Sequence, residues 1–176
     1  MKKLLVLDLD ETLIHATDRS EHRHHFTVGP YIVFKRPHLE AFLDFCHAHF
    51  EIGIWTSSTE DYANGIVEQI LPEHIPIKFL WSRERCIREM NYETGEIDWV
   101  KDLKKLKKKG YDLNHIIAVD DSPEKLKRQY GNLIKVEPFF GDEDDNELKK
   151  LEVYLQSLVD VENIRKIEKR SWKRRL

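Results

Sequence analysis

Four carboxylates stand at the ends of two apolar runs. Asp8 and Asp10 follow the apolar residues near the start of the chain, and Asp120 and Asp121 follow the run Ile116–Val119. If both runs are parallel strands, their carboxyl ends meet at the edge of the sheet where open α/β folds bind ligands. Adjacent carboxylates repel each other, and a hard divalent cation such as Mg²⁺ removes that repulsion. The sequence therefore predicts a magnesium site at this edge.

Hydroxyl groups and a lysine accompany these carboxylates. Thr56 and Ser57 follow a third apolar run and precede a predicted helix, whose free N–H groups could hold a phosphate. Lys101 opens a lysine-rich segment. A single threonine or lysine of this kind is usually structural, so these residues become candidates for a site only together with the four carboxylates.

Apolar runs and helical patterns alternate along the chain. We predict strands over 3–9, 51–56, 77–81, 115–119 and 133–136. We predict helices from Pro37, from Ser58, over 101–109, from Ser122 and over 146–158. This alternation is typical of an α/β fold with a doubly wound parallel sheet.

Three further segments are added to this predicted core. Residues 14–36 place a Gly-Pro turn before β-branched and aromatic residues, which predicts a short flap hairpin. Residues 82–100 are a small irregular insert, so we expect no large cap. Apolar residues recur at helical spacing within 161–176, which predicts a C-terminal basic helix.

The composition is that of one globular domain spanning 1–176. Of the 176 residues, 40% are hydrophobic and 35% are charged, and the 2 cysteines exclude a disulfide framework. The apolar runs are far shorter than the roughly 20 residues of a membrane helix, and Asp8 interrupts the run that imitates a signal peptide. We therefore expect a monomeric cytoplasmic protein without membrane contact, or a nuclear one if the source is eukaryotic.

At this level of detail the sequence resembles the haloacid-dehalogenase superfamily of phosphatases. The four motifs of that superfamily are an aspartate pair with threonine, a threonine or serine, a lysine, and an acidic pair, and all occur here in that order. More narrowly, the chain is similar to the branch containing the small phosphatases of the RNA polymerase II C-terminal domain and the NLI-interacting-factor-like proteins. The closer likeness lies in Lys35-Arg36-Pro37, Trp55-Thr56-Ser57-Ser58, Tyr62-Ala63, Val100-Lys101-Asp102-Leu103 and Asp120-Asp121-Ser122-Pro123.

The resemblance covers nearly the whole chain, with two departures. The second motif reads Trp-Thr-Ser-Ser where many relatives have Phe-Thr-Ala-Ser. The C-terminal stretch from Val136 to Trp172 is similar to the ubiquitin-like-domain member of the branch, although the sequence carries neither a ubiquitin-like nor a BRCT module. We therefore expect this chain to catalyse the reaction of the branch, but the resemblance does not identify the partner that targets it.

The resemblance also implies a role for each motif residue. It makes Asp8 the nucleophile, which attacks phosphorus, and Asp10 the acid and base, which protonates the leaving group. The expected Mg²⁺ ligands are Asp8, the backbone carbonyl of Asp10, Asp120 and Asp121, the last through water. The expected phosphate-binding groups are Thr56, Ser57 and Lys101.

The expected reaction is Mg²⁺-dependent hydrolysis of phosphoserine or phosphothreonine in proteins. The alternative substrates are nucleotides, polynucleotide ends or small metabolites, because an open cleft favours a large phosphoester without naming one. A receiver domain uses similar residues, but it places its acidic pair before a lone phosphoacceptor, which is the reverse of the order here. A non-catalytic binding scaffold is disfavoured because Asp8, Asp10, Lys101 and Asp120 are all intact.

Three weaker signals remain. The histidines within 21–25 could bind a metal, but histidines of a polar flap are more often solvated. Trp81, Met90 and Trp99 could line a substrate groove or form a small satellite core. The segment 161–176 holds seven lysines and arginines against two glutamates, while the whole chain has a net charge of -3. We therefore expect this tail to dock on the acidic body, and we expect nucleic-acid contact only through the tail.

Overall fold

The computed structural model of the protein describes residues 2–19 and 23–176. The strands, in chain order, are β1 (Leu4–Leu7), β2 (Ile14–Thr17), β3 (Phe26–Val28), β4 (Tyr31–Lys35), β5 (Glu51–Trp55), β6 (Ile77–Trp81), β7 (Ile87–Met90), β8 (Ile97–Val100), β9 (Ile116–Asp120) and β10 (Leu133–Lys135). The α-helices are α1 (Leu39–His49), α2 (Glu60–Ile70) and α3 (Glu147–Leu158). Among the described residues, no helix combines the length and the apolar character of a membrane-spanning segment.

A parallel sheet in the order β10-β9-β1-β5-β6 forms the centre of the molecule. Its middle strand is apolar and buried on both faces, as its uninterrupted run of leucine and valine predicts. Leu7 pairs with Ile54 of β5 and with Val119 of β9, so the three strands end level with one another. This register brings the residues that follow each strand, Asp8 among them, to one edge of the sheet.

Different secondary structures cover the two faces of the sheet. Leu5 and Leu7 pack against the apolar sides of α1, α2 and α3. Leu4 and Val6 point the other way, into a second core covered by short 3₁₀ segments. Layers on both faces and the all-parallel pairing confirm the doubly wound sheet predicted from the sequence, and no large cap is present among residues 2–19 and 23–176.

Two of the predicted helices are wrong in type. Residues Leu103–Lys109 form a 3₁₀ helix, and the helix expected after Ser122 is a single 3₁₀ turn over Pro123–Leu126. The buried side chains of the first segment are Leu103 and Leu106. Two buried leucines three positions apart match the period of a 3₁₀ helix. The other residues of the segment are all lysines, so the segment lacks the wider apolar face that an α-helix would bury.

The flap over 14–36 is a three-stranded antiparallel sheet in the order β2-β4-β3. Part of the histidine cluster considered as a metal site, residues 21 and 22, lies outside the described residues. His25 is engaged differently, because its Nδ1 accepts a 3.1 Å hydrogen bond from the backbone N–H of Lys35. In the described part of the chain, the side chains placed closely enough to share a metal ion are Asp8, Asp120 and Asp121, a metal-capable cluster without histidine.

The insert over 82–100 consists of a 3₁₀ turn at Arg83–Arg85 and the antiparallel hairpin β7-β8. Trp81, which precedes it, is buried in the second core. Trp99 is partly buried beneath the guanidinium of Arg83, whose Cζ lies 5.1 Å from the ring centre. Met90 near the tip is 51% exposed. The three residues therefore belong to different environments, and only Trp81 lies in a core.

The basic helix predicted over 161–176 is wrong, because this tail contains only two short 3₁₀ turns, Ile164–Lys166 and Trp172–Arg175. Lys169 explains part of the difference, since its ammonium donates a 2.7 Å hydrogen bond to the Ile167 carbonyl. A helix would use that carbonyl for its own backbone ladder. The tail nevertheless lies on the body of the protein, with both Ile164 and Trp172 buried.

Candidate active site

Asp8 lies at the centre of the candidate site, directly after β1. Its backbone N–H donates a 3.1 Å hydrogen bond to the Val119 carbonyl of the neighbouring strand, and its side chain is buried. Burial alone would raise the pKa of Asp8. The ammonium groups of Lys101 and Lys125 outweigh that effect and lower the pKa of Asp8 to about 2. Asp8 is therefore ionised at neutral pH, as a nucleophile must be.

Lys101 joins the two acidic motifs. Its Nζ lies 2.8 Å from Asp8 Oδ1 and donates a 2.6 Å hydrogen bond to Asp120 Oδ2. All three side chains are buried. Burial and the charge of Asp8 raise the pKa of Asp120 above its ordinary value. The lysine thus compensates two buried carboxylates that would otherwise repel each other strongly.

A second lysine, Lys125, completes this cluster and was not singled out by the sequence analysis. Its Nζ donates a 3.1 Å hydrogen bond to Asp8 Oδ2 and lies 3.7 Å from Asp120 Oδ1. The surrounding carboxylates raise the pKa of Lys125, although its burial acts in the opposite direction. The signal in the sequence is its position three residues after Ser122, because one turn from that residue carries the chain back over the end of β9.

Asp10 has different surroundings from Asp8. Its carboxylate accepts a 2.7 Å hydrogen bond from the Ser58 hydroxyl and a 2.6 Å hydrogen bond from the Tyr62 hydroxyl. Burial raises the pKa of Asp10, and these hydrogen bonds offset only part of that rise. Asp10 can therefore hold a proton at a higher pH than Asp8, which is the property required of a general acid.

The chain turns sharply between these two aspartates and the flap. Glu11 adopts a positive φ of 56°, and the backbone N–H groups of Leu13 and Ile14 both donate to the Leu9 carbonyl. Thr12 is buried within this turn, and its carbonyl accepts a 3.0 Å hydrogen bond from Arg36. The Thr12 backbone therefore takes part in this turn, whereas its buried hydroxyl has no hydrogen-bond partner among the described residues.

Thr56 and Ser57 follow β5 at the same edge of the sheet. The Thr56 backbone N–H donates a 2.8 Å hydrogen bond to the Trp81 carbonyl, and its hydroxyl accepts a 3.0 Å hydrogen bond from the Ser58 backbone. The Ser57 carbonyl accepts a 2.7 Å hydrogen bond from Arg83 at the base of the insert. The helix predicted from Ser58 begins two residues later, because α2 starts at Glu60 after Thr59, and the Ser58 hydroxyl binds Asp10 instead.

The acidic residues of the site fit a divalent cation. Asp8, Asp120 and Asp121 each offer a carboxylate oxygen, and these oxygens lie within 4.8 Å of one another. Oδ1 of Asp121 is buried and has no hydrogen-bond partner among the described residues. Carboxylate oxygens are the ligands that Mg²⁺ prefers. The Asp10 side chain lies outside this cluster, which leaves its backbone carbonyl as the expected ligand.

Arg36 fixes the loops around the site. Its buried guanidinium donates hydrogen bonds of 2.9 and 2.8 Å to the two carboxylate oxygens of Asp145. It also donates to the backbone carbonyls of Thr12 and Glu137, at 3.0 and 2.9 Å. One side chain therefore joins the turn after β1, the segment after β10 and the acidic stretch before α3.

The solved structures that the fold resembles include Fcp1, described as an essential RNA polymerase II CTD phosphatase. The TM-score is 0.70, and the match covers 91% of this chain and 63% of that chain at 21% identity. A second Fcp1 structure, from fission yeast and bound to beryllium fluoride, matches with a TM-score of 0.59 and 22% identity, over 92% of this chain and 52% of that chain. These likenesses establish the fold shared with Fcp1.

Curated relatives extend the comparison to sequence. A CTD small phosphatase-like protein 2 from Dictyostelium discoideum is 38% identical over 169 residues, which is 92% of this chain and 28% of that protein. A putative CTD phosphatase-like protein from Invertebrate iridescent virus 3 is 34% identical over 184 residues, which is 89% of this chain and 96% of that protein. The human CTD small phosphatase-like protein is 31% identical over 165 residues, covering 89% of this chain and 56% of that protein.

The length covered differs between these relatives. This chain spans 28% of the Dictyostelium relative and 56% of the human one. The family model for NLI interacting factor-like phosphatases matches residues 3–165, which include the residues of the candidate site described above. The chain therefore belongs to the NLI interacting factor-like phosphatase family.

Proposed function

We propose that this chain is a Mg²⁺-dependent phosphomonoesterase that works through a phosphoryl group on Asp8. The observation that carries the proposal is the contrast between the two aspartates of the first motif. Asp8 is held ionised beside two ammonium groups, whereas the pKa of Asp10 is raised by burial. Two carboxyl groups whose pKa values are pushed apart can serve as a nucleophile and as a proton donor.

In the first step, an Asp8 carboxylate oxygen forms a bond to phosphorus while the bond from phosphorus to the leaving oxygen breaks. Asp10 transfers its proton to that leaving oxygen, so the alcohol departs neutral. The hydrogen bonds from Ser58 and Tyr62 hold the Asp10 carboxyl in place during this transfer. Asp10 is then ionised and ready to act as a base.

In the second step, Asp10 removes a proton from a water molecule, which attacks the same phosphorus. The bond between phosphorus and Asp8 breaks, inorganic phosphate leaves, and both aspartates return to their starting protonation. The same residue acts as acid and then as base, so no further titratable group is needed.

Charge neutralisation is the remaining requirement, because a phosphate dianion must approach an ionised carboxylate. The buried ammonium of Lys101, the Thr56 hydroxyl and the Ser57 backbone N–H would bind the phosphoryl oxygens. Asp8, Asp120, Asp121 and the Asp10 backbone carbonyl would hold Mg²⁺. When bound, the cation would neutralise charge on the phosphoryl group and favour its transfer.

The substrate we propose is a phosphoserine or phosphothreonine of a protein. Relatives named as CTD phosphatases support a phosphoprotein substrate. The described residues include a three-stranded flap and a two-stranded insert but no large cap, which leaves room for a polypeptide. The family assignment names a phosphatase, and the phosphoprotein substrate is our proposal beyond it.

A turnover panel tests this function with and without metal. The full chain is freed of metal, and hydrolysis of p-nitrophenyl phosphate, phosphoserine peptides, a nucleotide and 5′-phosphorylated DNA is measured with added Mg²⁺ or with excess chelator. We expect hydrolysis only with Mg²⁺ and the highest kcat/KM for a phosphopeptide. Undiminished activity in chelator would overturn the metal dependence, and a preference for the nucleotide or DNA end would overturn the substrate assignment.

A further inference from the structure

Both oxygens of the Asp8 carboxylate are engaged by lysines. Oδ1 lies 2.8 Å from Lys101 Nζ, and Oδ2 accepts a 3.1 Å hydrogen bond from Lys125 Nζ. In the proposed function, one Asp8 oxygen attacks phosphorus and the other helps to hold the divalent cation. A divalent cation at Asp8 would therefore have to share or replace these ammonium contacts.

Lys101 is the fixed member of this pair. Its side chain is only 2% exposed, and its Nζ is also held by the 2.6 Å hydrogen bond to Asp120. The Lys125 side chain is 19% exposed, and its contacts to Asp120 and Asp121 are longer, at 3.7 and 3.9 Å. Lys125 therefore has a route to solvent that Lys101 lacks.

The backbone of Lys125 does not share this freedom. Its carbonyl accepts a 2.7 Å hydrogen bond from the Lys101 N–H, and its own N–H donates a 3.1 Å hydrogen bond to the Ser122 carbonyl. The flexible four-carbon side chain is thus the part that can move. The backbone thus holds Lys125 at the edge of the site, while its ammonium can move between the carboxylates and solvent.

The position of this ammonium conflicts with that of a bound cation. Nζ lies 3.1 to 3.9 Å from one oxygen of each of Asp8, Asp120 and Asp121, the residues of the metal-capable cluster. A divalent cation held by these carboxylates would have to occupy the space beside the Lys125 ammonium, whose contact to Asp8 Oδ2 is 3.1 Å. Repulsion between a divalent and a monovalent cation so close together is strong in a buried site.

We propose that Lys125 is a tethered competitor of the divalent cation, which pairs with the metal-binding carboxylates until Mg²⁺ displaces it. This proposal rests on the proposed function, because it requires a metal site at Asp8, Asp120 and Asp121. Lys125 stabilises the metal-free protein and lowers its apparent affinity for Mg²⁺. It thereby sets the Mg²⁺ concentration at which the site fills.

Direct titration of the whole metal-free chain with Mg²⁺ tests the competition by calorimetry. The variant Lys125→Met removes the charge and keeps the length of the side chain. We expect its Mg²⁺ affinity to rise by about 10- to 100-fold, the factor that a charge-assisted hydrogen bond typically contributes. Lys108→Met removes an exposed lysine and is the control for net charge, and Lys125→Arg keeps a cation at the site. Neither should show the gain.

Melting temperature provides a readout that does not depend on activity. In chelator, Lys125→Met should melt below the wild type, and saturating Mg²⁺ should abolish the difference. If this variant does not fold without metal, its affinity is measured from the Mg²⁺-loaded protein by competition with a chelator. A Lys125→Met affinity equal to or weaker than that of the wild type overturns the competition and leaves the proposed function intact. Failure of both proteins to bind Mg²⁺ overturns the metal site and both proposals with it.

Discussion

The Tyr62 hydroxyl donates a 2.6 Å hydrogen bond to Oδ1 of Asp10, which joins helix α2 to the turn after β1. The Tyr62 ring also meets Tyr31 of the flap edge-on, with 5.6 Å between the ring centres. Burial and the nearby Asp10 charge raise the pKa of Tyr62, so its hydroxyl remains a donor throughout the physiological range. The proposed acid and base is therefore positioned by both the helix and the flap.

Substitution of Asp10 tests its role in proton transfer. Asp10→Asn should reduce kcat for an alkyl phosphate by about 10²- to 10⁴-fold, because the poor leaving group needs a proton. The loss should be smaller with p-nitrophenyl phosphate, whose leaving group is a weaker base. Asp44→Asn alters an exposed aspartate of α1 and serves as the control. Equal losses with the two substrates would assign Asp10 another role.

The pH dependence of turnover should respond to Tyr62→Phe in a defined direction. Burial raises the pKa of Asp10, and the hydrogen bond from Tyr62 lowers it, so its removal should raise the pKa of Asp10 further. A general acid acts only while protonated, so the alkaline limb of kcat for an alkyl phosphate should move to higher pH. The control is Tyr92→Phe, at a residue 93% exposed. A limb that stays in place or moves to lower pH would contradict this assignment.

The Arg36–Asp145 ion pair should contribute strongly to stability. Asp145→Asn leaves the buried guanidinium without its carboxylate, and breaking such a pair costs about 3–5 kcal/mol of unfolding free energy. Burial opposes ionisation of Asp145, but the hydrogen bonds from Arg36 prevail and lower its pKa. Because the folded pKa is depressed, this stabilisation is present above the unfolded pKa and disappears as the pH falls through the folded pKa.

Urea unfolding at several pH values checks that stability prediction. The difference between wild type and Asp145→Asn should be largest near neutral pH and should shrink in strong acid. Asp144→Asn changes an exposed aspartate next in sequence and controls for net charge. A difference that stays constant down to strong acid would show that the ion pair is not its source.

The tail should stabilise the body even though it is not a helix. Trp172 stacks on Tyr154 with 5.4 Å between ring centres and donates a 2.7 Å hydrogen bond to the Lys135 carbonyl. Trp172→Ala should lower the free energy of unfolding by about 3–5 kcal/mol, as substitution of a buried tryptophan by alanine typically does. Leu176→Ala, at a residue 52% exposed, is the matched control.

Deletion from Asn163 onward separates docking of the tail from recognition by it. We expect a lower melting temperature, with any weak and salt-sensitive DNA binding lost as a secondary effect. An unchanged melting temperature together with loss of all nucleic-acid binding would make the tail a recognition element instead.

The insert should influence substrate choice more than chemistry. Arg83 at its base contacts the Ser57 carbonyl, and Lys127 forms 2.9 Å ion pairs with Glu89 and Asp98 on its two strands. Replacing only residues 91–96 by a short Asn-Gly turn therefore spares the contacts to the site. Turnover of p-nitrophenyl phosphate should persist while kcat/KM for phosphopeptides changes. Loss of both activities in a folded variant would contradict this separation.

Sequence patterns predicted the elements that position the site. The apolar runs ending at Asp8 and Asp120 became neighbouring strands because parallel strands buried on both faces require such runs. The helix predicted over 146–158 appears as α3, since its leucines at helical spacing reach the main core. Uninterrupted apolar runs were sufficient for the two strands, and helical periodicity over a dozen residues was sufficient for α3.

Other features depended on contacts that no local pattern encodes. The tail is not helical because Trp172 and Lys169 find partners that a continuous helix would not offer them. Lys125 reaches the site through the single turn that follows Ser122 after β9. Its sequence position alone did not distinguish it from the many lysines that are solvated elsewhere in the chain. The role of Arg36 likewise required three loops to meet, which sequence spacing does not reveal.

Detection of a phosphoryl group on Asp8 tests the central claim most directly. The wild-type chain and Asp8→Asn are mixed with Mg²⁺ and p-nitrophenyl phosphate, quenched in acid during turnover, and digested for peptide mass spectrometry. We predict that the wild-type peptide containing Asp8 gains the mass of one phosphoryl group and that the variant peptide does not. Turnover by the wild type with no phosphoryl group on that peptide, or retained turnover in Asp8→Asn, would contradict the assignment of Asp8 as the nucleophile.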